Sequence, residues 1–184
     1  MNWVVFSIAL LFAGALDRTF LAVFEVKGVV PMVTPALVAF VAMHAPRPTA
    51  VWAGCWAGLV MDLLNPVPTT LGAVVVPGPW AIGMALAAWT GIQLRGVLFR
   101  RSPAAFALLT ACTTLLAGLI WTFVFSVRGW YPGEGFPWPG SALGNLGTRT
   151  LDALASGLLA VPLWWPLERW INWWSFPLPA LRRR

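Results

Sequence analysis

The 184-residue chain has few of the side chains on which most enzyme active sites are built. It contains one histidine, His44, two cysteines, Cys55 and Cys112, and only 10% charged residues. The cysteines lie in apolar runs without a C-x-x-C spacing, which indicates buried side chains rather than metal ligands or a disulfide. The chain also lacks an H-E-x-x-H motif, a phosphate-binding loop and a glycine-rich dinucleotide motif. We therefore expect no catalytic centre, cofactor or metal.

A serine hydrolase within a membrane would need a serine and a histidine at the same depth. Ser141 lies in a loop that we predict on the opposite face from His44. The lone histidine is expected to reach the membrane interface, so the sequence does not favour this chemistry.

The chain is rich in apolar side chains, although it has few reactive ones. Hydrophobic residues make up 59% of the chain and the mean hydropathy is +0.78, which is more apolar surface than one soluble core can bury. The net charge of +6 comes from basic residues in short segments between the apolar runs. Such charge orients a protein in the lipid bilayer, and it does not form the continuous basic face that binds nucleic acid.

The apolar runs predict an all-α integral membrane protein, a six-helix transmembrane bundle in a single polytopic domain of residues 1–184. A cleaved signal peptide ending near Ala13–Ala15 competes with the first span, but no basic residue precedes it. The proline-rich segment 65–79 is predicted to be an external loop or a shallow re-entrant segment. The predicted spans are residues 3–24, 29–44, 49–64, 79–99, 104–127 and 148–166, followed by an interfacial C-terminal helix over 167–178.

The arginines predict the orientation, because basic residues concentrate on the cytoplasmic side. With six spans and both termini in the cytoplasm, Arg47, Arg100, Arg101 and Arg182–Arg184 all face inward. Lys27, Arg128 and Arg149 then remain outside.

Small residues form a stripe on the third predicted helix. Ala50, Gly54 and Gly58 recur every four residues, which lets a second backbone approach closely. The fourth predicted helix carries a similar stripe, and we expect the two helices to pack together; its members are Gly83, Ala87 and Gly91.

Five charged residues fall at comparable depth in the predicted outer half of the membrane: Asp17, Arg18, Asp62, Arg149 and Asp152. Charged groups in a membrane normally have interior partners. Arg149 and Asp152 are spaced to meet on one helix face, and we expect Arg18 or Arg149 to bind Asp62. This cluster is predicted to pin helices together rather than to bind a transported ion. In the competing interpretation, Asp62 is simply a hydrated helix end.

Residues 53–72, AGCWAGLVMDLLNPVPTTLG, resemble a segment of the MreD rod shape-determining proteins. The family pattern is a small-residue helix that runs into G-L-x-x-D-L, then a polar residue, a proline and L-G. Thr69 and Thr70 separate the proline from L-G, where the family usually joins them. The matching positions are Gly58, Leu59, Asp62, Leu63, Asn65, Pro68, Leu71 and Gly72.

This resemblance implies a non-enzymatic component of the lateral cell-wall elongation machinery in the bacterial inner membrane. Such proteins bind the bitopic protein MreC and act with the RodA/PBP2 synthase and the MreB cytoskeleton. Their fold is similar to the S components of energy-coupling-factor transporters, so the alternative is a small-solute-binding transporter subunit with an outward pocket near Asp62. The residues expected to fix the bundle or couple it to partners are Asp62, Arg18, Asp17, Arg149, Asp152, Gly54, Gly58, Pro68 and Gly72.

Overall fold

A computed structural model describes residues 1–26, 28–69, 72–95, 102–128 and 142–176. These residues form six α-helices, two short 3-10 helices and one hairpin. The α-helices are α1 (Trp3–Arg18), α2 (Thr34–His44), α3 (Arg47–Leu64), α4 (Pro79–Leu94), α5 (Pro103–Arg128) and α6 (Ala142–Arg169). The 3-10 helices are Leu21–Phe24 and Ile171–Trp174, and the strands are β1 (Val67–Thr69) and β2 (Gly72–Val74).

Three helical segments within the described residues are long and apolar enough to cross a membrane. They are Trp3–Phe24, Pro103–Val127 and Leu143–Arg169. Large apolar side chains are exposed along these segments, including Phe12, Phe123 and Leu158. The chain is therefore a membrane protein, as the composition predicts.

Helix α2 lies at the centre of the molecule. Residues 34–42 are all buried, and α2 contacts α1, α3, α4, α5 and α6. Its eleven residues give a length of about 16 Å, and a short helix that is apolar on every side is typical of a core. The preceding residues 28–33 are not helical, so the span predicted over 29–44 is helical only in its second part.

The small-residue stripe of α3 lies against α4, which confirms that these two helices pack together. A Cβ atom added to Gly54 would lie 2.5 Å from the Met84 carbonyl oxygen, and one added to Gly58 would overlap the Trp80 carbonyl. The stripe of α4 does not face α3, however. Gly83 faces Ala117 of α5, because α4 is packed between α3 and α5 and needs small residues on both sides.

The predicted bounds of the last helix differ from those in the structure. Helix α6 begins at Ala142 and continues through Pro162 and Pro166 to Arg169, so residues 142–147 are helical. Of the surface helix predicted over 167–178, residues 167–169 belong to α6 and Ile171–Trp174 form a 3-10 helix, whereas residues 177 and 178 lie outside the described residues. Trp174 is buried, with its ring 5.4 Å from that of Phe40. Burying this indole against α2 holds the 3-10 helix Ile171–Trp174 on the bundle.

Segment 65–79 contains an antiparallel hairpin, which neither of the two predictions for it included. The register pairs Val67 with Val74, Pro68 with Ala73 and Thr69 with Gly72. The all-α description is thus corrected by two short strands. Several predicted features lie outside the described residues: Lys27, Thr70, Leu71, most of the loop after Arg128, and the arginines at 100, 101 and 182–184.

Candidate functional site

The candidate site lies where α1 and α3 end and where α2, α4 and α6 begin. Asp17, in the last turn of α1, is buried there. Its Oδ1 accepts a hydrogen bond from the Val33 backbone N–H at 2.6 Å, and its Oδ2 accepts from the Thr34 N–H at 2.9 Å and the Thr34 hydroxyl at 2.6 Å. The first N–H groups of a helix have no partner within that helix. Asp17 therefore caps α2 from another helix, and its negative charge suits the positive end of the helix dipole.

Asp62, in the last turn of α3, caps the start of α4 in the same way. Its Oδ2 accepts from the N–H groups of Gly78 at 2.8 Å and Ala81 at 3.2 Å, and its Oδ1 accepts from the Trp80 N–H at 3.1 Å. Gly78 has φ 131°, a conformation that favours glycine. The predicted bond from Arg18 or Arg149 to Asp62 is wrong, because three backbone donors surround the carboxylate. Asp62 is also only 3% exposed, so the competing interpretation of a hydrated residue at a helix end is wrong.

Asp152 and Ser156, one turn apart on α6, bind the non-helical segment before α2. The Val30 N–H donates to Asp152 Oδ1 at 2.9 Å, and the Met32 N–H donates to Ser156 Oγ at 2.9 Å. Irregular backbone inside a membrane needs such partners, because lipid supplies none. Sequence reasoning missed Ser156; the signal available was a second polar residue four positions after Asp152.

Arg149 contacts Asp152 as predicted, with 3.1 Å between Nη1 and Oδ2. Its guanidinium carbon lies 4.7 Å from the centre of the Trp121 ring, a cation–π distance. Gly118 leaves room for the side chain, since an added Cβ would lie 3.3 Å from Arg149 Cδ. The Arg149 Nε atom is buried and has no hydrogen-bond partner among the residues that the structure describes.

Four of the five charged residues predicted at one depth line a cavity of about 220 Å³. Asp62 is the exception, since its carboxylate faces the start of α4. Arg18 is exposed and forms no salt bridge with the described residues. The cavity is lined by Asp17, Arg18, Ala22, Glu25, Gly28, Val30, Met32, Met61, Asn65, Arg149 and Asp152.

The opposite end of α2 is also held by charged residues from other helices. Arg95 Nη1 donates to the carbonyls of Ala42 at 3.2 Å and Ala45 at 2.8 Å, which places a cation at the negative end of the helix dipole. The His44 side chain is only 2% exposed, with Nε2 3.5 Å from Glu168 Oε2. Aromatic rings enclose His44 inside the bundle, and its position at the membrane interface stays a prediction; the rings are those of Phe40, Trp164 and Phe176.

The remaining predicted residues lie apart from the cavity's charged groups. Gly54 and Gly58 lie at the α3–α4 contact, and Pro68 and Gly72 lie on the two hairpin strands. Within the described part of the chain, no three histidine, cysteine, aspartate or glutamate side chains are grouped to hold a metal.

The carboxylates of Asp17, Asp62 and Asp152 already accept three, three and two hydrogen bonds. The chemistry of the site is thus dominated by electrostatic binding of backbone amides. Comparison with protein-family models, curated proteins and solved structures finds no match for this chain.

Proposed function

We propose that this protein is a non-enzymatic membrane scaffold of the bacterial cell-wall elongation machinery. In this role it binds an MreC-like bitopic protein and is coupled through it to the RodA/PBP2 synthase and the MreB cytoskeleton. The observation that carries the proposal is that all three buried carboxylates bind backbone amides of neighbouring segments. These three carboxylates hold neighbouring segments in place, which leaves the apolar outer surface for partner helices.

The role of Asp62 also gives a physical reason for the MreD-like motif. A carboxylate in the last turn of α3 caps α4 only if the intervening chain returns to the same end of the bundle. The hairpin between Val67 and Val74 provides this return. The G-L-x-x-D-L pattern followed by a turn is thus suited to joining two packed helices.

We propose six membrane crossings with both termini in the cytoplasm of a bacterial cell and the S-component-like arrangement that the resemblance implies. Helix α2 is too short to cross alone. Residues 28–33 extend it, and this extended backbone is tolerable because Asp17, Asp152 and Ser156 accept its N–H groups.

An apolar groove between α1 and α3 supports partner binding through helices. Its volume is about 420 Å³, and Ser7 is the one polar side chain among its lining residues. Transmembrane helices associate through shape-matched grooves of this kind. The groove is lined by Trp3, Phe6, Ser7, Leu10, Leu11, Trp56 and Val60.

Copurification of the full chain with an MreC-like protein tests the proposed scaffold function. Leu11→Trp partly fills the groove, and we expect it to lower recovery of the partner by about tenfold, the equivalent of 1.4 kcal/mol. Leu158→Trp is the matched control, because Leu158 is 73% exposed and Leu11 is 63% exposed. Equal recovery with both variants would exclude the groove as the partner-binding site. Failure of the wild-type protein to retain the partner would overturn the proposed scaffold function.

The alternative function is an S-component-like subunit that binds a small solute. The cavity beside Arg149 is the observation in its favour. At about 220 Å³, however, it is smaller than the roughly 300–1,000 Å³ of most small-molecule pockets. Retention of a vitamin-sized solute by the purified protein, together with no retention of MreC, would favour the alternative.

A further inference from the structure

The Arg149 guanidinium has hydrogen-bonding capacity that the described residues leave unused. Nη1 donates to Asp152, whereas Nε is buried and finds no acceptor in the described part of the chain. The N–H groups of Nε and Nη2 point in parallel and match two oxygens of a carboxylate or phosphate. Because Trp121 and Asp152 fix the guanidinium from two sides, the unused fork is held in place rather than free to turn into solvent.

The charges that line the cavity restrict what can bind there. Asp17, Glu25 and Asp152 oppose Arg18 and Arg149, so a simple anion would add to an excess of negative charge. Glu25 and Arg18 are both exposed, and no ion pair joins either to the described residues. A ligand that carries both signs matches the guanidinium fork and the Glu25 carboxylate together, and the described residues supply no ion pair to Glu25 and no acceptor to Arg149 Nε.

We propose that this cavity binds a zwitterion, with a phosphate or carboxylate on Arg149 and Arg18 and an ammonium group on Glu25. A volume of about 220 Å³ equals the space of about seven water molecules in the liquid, which suits a compact headgroup. The ligand is the headgroup of an ethanolamine phospholipid or a free zwitterion of the same chemistry. This inference does not rest on the proposed scaffold function.

Native mass spectrometry tests the proposal. The full chain in detergent is mixed with equal amounts of phosphatidylethanolamine and phosphatidylglycerol, and the lipid that stays bound is identified. We expect the wild-type protein to retain the ethanolamine lipid preferentially. Arg149→Lys keeps the charge but lacks the fork, and we expect about tenfold weaker retention. Arg47→Lys, at an exposed arginine at the other end of α3, is the matched control and is expected to retain the lipid as the wild type does.

Glu25→Gln separates recognition of the ammonium group from recognition of the phosphate. We expect this variant to retain both lipids equally, and its exposed position keeps the test valid if Arg149→Lys fails to fold. Competition with O-phosphoethanolamine distinguishes the sources: displacement of the lipid by the soluble compound supports a free zwitterion, and resistance to displacement supports a lipid. The proposal is overturned if wild-type protein retains the two lipids equally, or if Glu25→Gln keeps the wild-type preference.

Discussion

Single aspartates act as caps for helices to which they do not belong. Asp17 of α1 binds the first amides of α2, and Asp62 of α3 binds those of α4. A cap of this kind satisfies the unpaired amides at the helix start and also fixes the position of one helix relative to another. Each carboxylate thereby stabilises both local and tertiary structure.

The change Asp62→Ala leaves three N–H groups without their acceptor. We expect the free energy of unfolding in detergent to fall by about 1–3 kcal/mol, the cost of unsatisfied buried donors. Asp62→Asn keeps one carbonyl acceptor and is expected to lose less. Thermal unfolding measures both, with Arg47→Ala as the control at the exposed first turn of the same helix. A Tm for Asp62→Ala equal to that of the wild type would contradict the capping role.

At the scale of the elements, α2 is positioned by its neighbours rather than by its own sequence. Asp17 binds its start and Arg95 binds its final carbonyls, while other helices cover its sides. Close helix contacts complete the bundle, most tightly where Gly58 meets the backbone of Trp80. Because that contact is between backbones, it cannot be relieved by a change of rotamer.

Gly58→Ala is expected to force α3 and α4 apart and to lower the free energy of unfolding by about 1–3 kcal/mol, as overpacking does. Gly147→Ala is the matched control, since no described residue lies within 4 Å of a Cβ added there. Because alanine favours a helix, this control is expected to be neutral or stabilising by up to about 1 kcal/mol. Thermal unfolding of the two variants provides the comparison, and an equal response would show that the α3–α4 contact can relax.

At the scale of the whole molecule, the two ends of α2 lie in different surroundings. The end at Thr34 is near the charged cavity, and the end at His44 is enclosed by aromatic rings and Glu168. The His44 end is also where residues from the two ends of the described chain meet, because the Asn2 N–H donates to the Trp174 carbonyl at 2.8 Å. Under the proposed topology, the cavity lies near the outer membrane surface.

Cysteine labelling in intact cells tests this orientation. In a background in which alanine replaces Cys55 and Cys112, we expect an impermeant reagent to label Glu25→Cys. Arg47→Cys should require a permeant reagent, because basic residues favour the cytoplasmic side. Both positions are exposed in the fold, so accessibility reports the side of the membrane. Labelling of Arg47→Cys from outside would reverse the proposed topology.

Most of the polar residues at the site could be identified from the sequence, but not their partners. Asp17, Asp62 and Asp152 are conspicuous because charged residues are rare in apolar runs. The donors to Asp62 are backbone amides of Gly78, Trp80 and Ala81. Every non-proline residue carries such an amide, so no side-chain pattern distinguishes these three from the rest.

The sequence by itself determined that this is a helical membrane protein, that α3 has a face for close packing, and that Asp17, Asp62 and Asp152 lie in apolar runs. Hydrophobicity, residue size and charge are properties of the residues, so they can be read before folding. Only the tertiary structure decided that Asp62 caps α4 instead of binding Arg18 or Arg149, and that Gly83 faces α5. These outcomes depend on which unsatisfied backbone groups and which helix surfaces come together in the bundle, and that is set by the packing of all the helices at once.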